Sequence, residues 1–160
     1  MLAMSSSTSP ESSSISVVVI GWGRENGIIF MPRLFKEHKT PYVMTAMIDF
    51  VETLEPYRYS PKNLGAILHN LHPRPRALVI GIAVPPALVP EITGVWNEYI
   101  DTVLKEEFKE NDEWKKNVCS TLPLTHYVDP SVGKPPMDMG WEREMFKHLD
   151  AAFRPEVSWE

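Results

Sequence analysis

The sequence predicts an α/β fold, a three-layer α/β/α sandwich around a mainly parallel four-stranded sheet. Three observations predict it. The apolar runs VVVI (Val17–Ile20), Tyr42–Ile48 and ALVIGIA (Ala77–Ala83) are continuous rather than alternating, as in strands buried on both faces. Segments with helical spacing of apolar residues separate them, and alternation of strand and helix is the signature of a covered parallel sheet. The first run also feeds directly into a turn carrying Gly21, Gly23 and Gly27, the way a buried parallel strand ends at a ligand-binding turn.

Each element has a local reason. Ser16 to Gly21 reads as the first strand, followed by a loop and a helix from Pro32 to His38, with proline at the first helical position where its missing N–H costs nothing. Tyr42 to Phe50 reads as the second strand, beginning after the turn residue Pro41. Ser60 and Pro61 supply an N-cap and a first helical residue for a helix ending near Leu71, which HPRPR (His72–Arg76) stops. Ala77 to Ala83 is the third strand. Pro85, Pro86 and Pro90 then open the longest helix, whose stripe of Ile92, Val95, Trp96, Tyr99, Ile100, Val103 and Leu104 recurs at three and four. Lys116 to Pro123 reads as the fourth strand and Trp141 to Phe153 as the last helix, with Trp141, Met145, Leu149 and Phe153 in one stripe. Right-handed crossovers place the strands in the order 2-1-3-4.

Bulk properties narrow the partners. A formal charge of −5 and a pI near 5.6 argue against nucleic acid, whose phosphates demand a basic face, and against an anionic membrane surface. No apolar run approaches the roughly 20 residues that span a bilayer. Cys119 is the single cysteine, which excludes an intrachain disulfide and fits a reducing compartment. Residues 1–15 are serine-rich and too poor in bulky apolar side chains to offset ordering entropy, so they read as a disordered tail before a single domain over 16–160. They carry neither the apolar core of a secretory signal nor the arginines of a mitochondrial presequence, and the expected location is cytoplasmic.

The candidate site gathers at the carboxyl ends of the strands, where open α/β sheets bind ligands. Gly21, Trp22, Gly23, Arg24, Asn26, Gly27 and Gly81 are the candidate cofactor-binding residues, because residues without a Cβ let backbone approach a ligand closely. The spacing is G-x-G-x-x-x-G rather than G-x-G-x-x-G, Asn26 takes the place of the expected third glycine, and Pro32 would interrupt a helix begun at Arg24. Asp49 ends the second strand where dinucleotide-binding folds carry the acid that holds a ribose hydroxyl. Asp49 and Glu52 are a carboxylate pair able to split their pKa values, and His126 is a candidate for proton transfer near neutral pH. The plainer accounts are a glycine connection required by geometry, a charged loop and a solvated histidine. No metal site is expected: His69 and His72 stand three apart without an evident third ligand. Arg74 and Arg76 sit in a stiff proline-flanked connector, Cys119 lies in an apolar strand as an inert thiol, and Ser120 lacks the G-x-S-x-G elbow.

Through VVVIGWGRENG, the strand ending in Asp49, and ALVIGIAVPP, residues 16–125 resemble the Rossmann-like superfamily. The central part is similar to small single-domain proteins of bacteria and fungi of unassigned function, through IDFVETLEP (Ile48–Pro56) and LVIGIAVPP (Leu78–Pro86). The resemblance implies the fold and supplies no reaction. The functional expectation is a nucleotide or other small-molecule ligand, with NAD or NADP among the candidates, at the carboxyl edge of the sheet. The alternatives are a cofactor-free isomerase, lyase or hydrolase using His126 and Asp49, and a non-enzymatic interaction protein working as a homodimer, its aromatic stripe from Trp141 exchanged with a twin.

Overall fold

The computed structural model describes residues 14–21, 23–50, 55, 57–122 and 140–159, without the side chains of residues 25 and 26. Four strands, β1 (Ile15–Gly21), β2 (Tyr42–Asp49), β3 (Ala77–Ile80) and β4 (Val118–Thr121), form one sheet in the order β2-β1-β3-β4, and every pairing is parallel. This is the expected order. β1 is central because its apolar run, buried at every position from Ile15 to Gly21, can only sit between two layers. Thr45 is the extra residue where the β1–β2 register shifts, and its hydroxyl lies 2.6 Å from that of Ser16.

Helices cover both faces. Val17 and Val19 of β1 and Ala77 and Val79 of β3 pack against α1 (Arg24–Glu37) and the last helix, whose inner face carries Trp141, Met145, Phe146 and Leu149. Val18, Ile20, Leu78 and Ile80 point the other way, toward α2 (Pro61–Asn70) and α3 (Val89–Tyr99). Period-two alternation on β1 and β3 therefore feeds two cores, and the three-layer arrangement follows. Ser60 caps α2 as the sequence indicates, its side chain accepting from the Asn63 amide at 3.0 Å. α3 continues through a π turn (Ile100–Leu104) into α4 (Lys105–Glu107), and the wider turn keeps both Ile100 and Leu104 buried.

The start of α1 corrects the sequence reading. Helix begins at Arg24, not Pro32, and Pro32 lies inside it. The proline is tolerated because it faces solvent and forfeits only the bond that Ile28 would have accepted, while Met31, Leu34 and Phe35 anchor the helix to the core. The last helix, α5 (Trp141–Phe153), has the expected bounds, and Trp141, Met145 and Leu149 of its stripe are buried in the core, with Phe153 packed against it. β3 ends at Ile80, because Gly81 to Val84 turn away beneath the entry to α3. Arg74 and Arg76 bind Glu107 and Glu113 and so fasten the connector before β3. No described helix is long and apolar enough to cross a membrane.

Candidate functional site

The strand order sets two neighbouring central strands whose onward paths part. From β1 the chain turns to α1 on one face, whereas from β3 it turns to α3 on the other, and open α/β sheets bind ligands outside the strand ends at such a divergence. Gly21 ends β1 and Gly81 follows the last residue of β3 at this point. The Gly81 amide donates to the Ile20 carbonyl at 2.8 Å, and a Cβ on Gly81 would lie 3.1 Å from that same oxygen and 3.6 Å from the Gly21 Cα. Backbone meets backbone there, which is the physical reason for glycine at this point.

Gly23 takes φ 85° and ψ 64°, a left-handed conformation that reverses the chain from strand to helix, and the Gly27 amide closes the first turn onto the Gly23 carbonyl at 3.0 Å. Gly27 is buried against β2: a Cβ there would fall 2.3 Å from the Met47 Sδ. The third glycine, one residue later than in the usual fingerprint, thus supplies close packing of helix on strand.

Asp49 is 3% exposed at the end of β2, and its Oδ2 accepts from the Arg24 amide at 2.5 Å. Gly23 offers no side chain to cap α1, so the neighbouring strand provides the acceptor, and a carboxylate also suits the positive end of the helix dipole. Main-chain bonds hold Asp49 in place: its amide donates to the Tyr57 carbonyl at 2.9 Å and its carbonyl accepts from the Tyr59 amide at 2.9 Å. This pairing brings Tyr57 to the site. The Arg24 guanidinium lies 3.9 Å from the centroid of the Tyr57 ring, and its Nε donates to the Met47 carbonyl at 3.3 Å. Tyr59, two residues further, donates its hydroxyl to Glu91 at 2.9 Å, and burial, then that bond and charge, raises its pKa above the ordinary phenol value.

The structure therefore brings together Gly21, Gly23, Arg24, Asp49 and Gly81, with Tyr57 added. Tyr57 stands in the aromatic loop after β2, near Asp49 in the sequence, and the structure gives it a place against Arg24. Trp22, Glu52 and His126, and the side chain of Asn26, lie outside the described residues. Two other groups lie away from this arrangement. Cys119 is half-buried on β4, and burial, partly offset by hydrogen bonds with Thr93 and Thr121, pushes its thiol up to about 11, so it stays protonated and unreactive at neutral pH. Ser120 lies 2.8 Å from His148 Nδ1 and is 1% exposed beneath α5.

Replacing Asp49 with Ala should cost about 1–2 kcal/mol, the usual loss of a helix cap. Asp49→Asn keeps an acceptor and should cost less than half as much. Urea unfolding of the two variants checks this, and equal losses would mean that charge, not capping, is what Asp49 supplies.

Comparison of the chain with protein-family models, with curated proteins and with solved structures finds no match to any of them. The site is accordingly read from its own chemistry.

Proposed function

We propose that the protein binds a small polar ligand in the crevice between the ends of β1 and β3, a Rossmann-like use of a parallel sheet. The observation that supports this most directly is the close backbone approach of Gly81 to Ile20 at the point where the two paths diverge, which leaves little room for a Cβ on Gly81. Gly23 and Arg24 form one wall, and Asp49 and Tyr57 close the side next to β2. A nucleotide is one such ligand, and its phosphate would not take the Arg24 amide, which Asp49 already holds.

Thermal unfolding against NAD, NADP, ATP, AMP, FMN, FAD, coenzyme A and adenosine tests the reading. A ligand present at 100 times its dissociation constant should add about 2.7 kcal/mol to stability. Amide resonances of Gly21, Gly23 and Gly81 should move with that ligand. Stabilisation with perturbations confined to another face would contradict the proposed place of binding.

A second reading, association through the surface, is favoured by Ile28 and Ile29, which are 41% and 63% exposed on adjacent positions of α1. Sedimentation of the protein and of an Ile29→Lys variant separates the two: a dimer dissolved by the substitution supports association, and a monomer at micromolar concentration removes it.

A further inference from the structure

We propose that the Arg24 side chain is the anion-recognising group of this site, and that the ligand carries a carboxylate or phosphate which the guanidinium edge grips. The proposal rests on the reading of this edge as a ligand site and names the chemistry of what binds there.

Arg24 is held on three sides. Its amide is bound by Asp49, its Nε donates to the Met47 carbonyl, and its guanidinium carbon sits 3.9 Å from the Tyr57 ring centroid. Tyr57 is itself fixed through the main-chain bond from Asp49. Stacking and the Nε bond use one face and one nitrogen. Among the described residues neither terminal nitrogen of Arg24 has a hydrogen-bond acceptor, and no carboxylate forms an ion pair with it.

The contrast with other arginines is informative. Arg58, Arg74, Arg76 and Arg154 each engage a carboxylate of this chain, namely Glu55, Glu107, Glu113 and Asp150. Arg24 is positioned by the Met47 carbonyl and the Tyr57 ring instead, and among the described residues no carboxylate pairs with its guanidinium. A planar fork already oriented loses little rotamer freedom when it binds, and two parallel N–H donors match the oxygens of a carboxylate or phosphate. The aromatic ring beneath adds a flat surface on which the rest of a ligand can lie.

The test uses the isotopically labelled full chain at constant ionic strength, following the Arg24 Nε–H resonance during titration with inorganic phosphate, succinate or chloride. The expected result is a saturable shift with phosphate or succinate that chloride does not reproduce. Saturation by phosphate alone identifies a phosphorylated ligand, and saturation by succinate alone identifies a carboxylate. Arg24→Gln should weaken the responding anion by at least about tenfold, as judged by thermal stabilisation, while Tyr57→Phe retains binding and Tyr57→Ala weakens it. Shifts that are linear, or that chloride matches, overturn the proposal, and the wild-type titration decides this even if Arg24→Gln does not fold. Adenosine, which is uncharged, separates the two levels. If it moves Gly21 and Gly81 while neither phosphate nor succinate gives a saturable shift at Arg24, the ligand site stands and the role of Arg24 falls.

Discussion

Asp150→Ala is expected to be the most damaging single substitution in the described fold, lowering stability by about 3–5 kcal/mol, the usual cost of removing one partner from a buried charged pair. Asp150 is 1% exposed on α5 and accepts four hydrogen bonds. Oδ1 takes the Tyr42 hydroxyl at 2.5 Å and the Arg154 Nε at 2.9 Å, while Oδ2 takes an Arg154 terminal nitrogen at 3.2 Å and the Trp159 indole at 2.7 Å. One carboxylate therefore joins the edge strand β2, the last helix and the chain end. Trp159 is further fixed by stacking on Phe146, with ring centroids 5.8 Å apart, and by a bond from Arg143 to its carbonyl. Alanine would leave the Tyr42 hydroxyl and the Arg154 cation without their acceptor, and unpaired buried groups carry their full desolvation cost. Asp150→Asn, which keeps an acceptor but not the charge, should fall between. Urea unfolding decides the matter; a loss below about 1 kcal/mol for the alanine variant would show that the node is dispensable.

The same node sets a pH dependence with a definite sign. Burial first, then the bond to Asp150 and its charge, raises the Tyr42 pKa above its ordinary value of 10.0. A raised folded-state pKa means that the stabilisation is intact below pH 10 and is lost as the pH rises beyond it, because the unfolded chain releases the proton first. Tyr59 and Tyr99 are raised for the same leading reason and act in the same direction, so alkaline titration should unfold the protein cooperatively.

The parts of this molecule that a sequence discloses are those governed by local pattern. Continuous apolar runs marked β1, β2 and β3, and the handedness of crossovers then left a single natural order for the sheet. The stripe on α3 was legible because Ile92, Trp96, Tyr99, Ile100 and Leu104 repeat at helical spacing, and all five are buried. Proline misled at α1, since the rule against interior proline is a local cost that Met31, Leu34 and Phe35 override through tertiary packing. Asp49 stood out by position, but its partnership with the Arg24 amide depends on how closely the end of β2 approaches the start of α1, a distance that no spacing along the chain encodes. The same holds for Asp150, whose partners Tyr42 and Trp159 converge only in the folded chain.

Gly27→Val should be the second most costly change, losing about 1–3 kcal/mol by overpacking. The Cβ of any residue at this position would run into the Met47 Sδ and Cε, the far end of a buried side chain that must shift to make room. Alanine is the informative control. It brings the same Cβ but gains roughly 1 kcal/mol of helix propensity over glycine, and the far end of a methionine is flexible, so Gly27→Ala should stay within about 1 kcal/mol of the wild type. Valine adds two methyl groups that cannot rotate away, because β-branching fixes χ1 against the preceding turn. The helix must then lift from β2, and with it go the Arg24 amide from Asp49 and the guanidinium from the Met47 carbonyl. Loss of stability should therefore come with a displaced Arg24 Nε–H resonance, whereas a simple core defect would leave that resonance where it is. The pairing of these two readouts tests whether the glycine one place beyond the usual fingerprint sets the geometry of the binding edge.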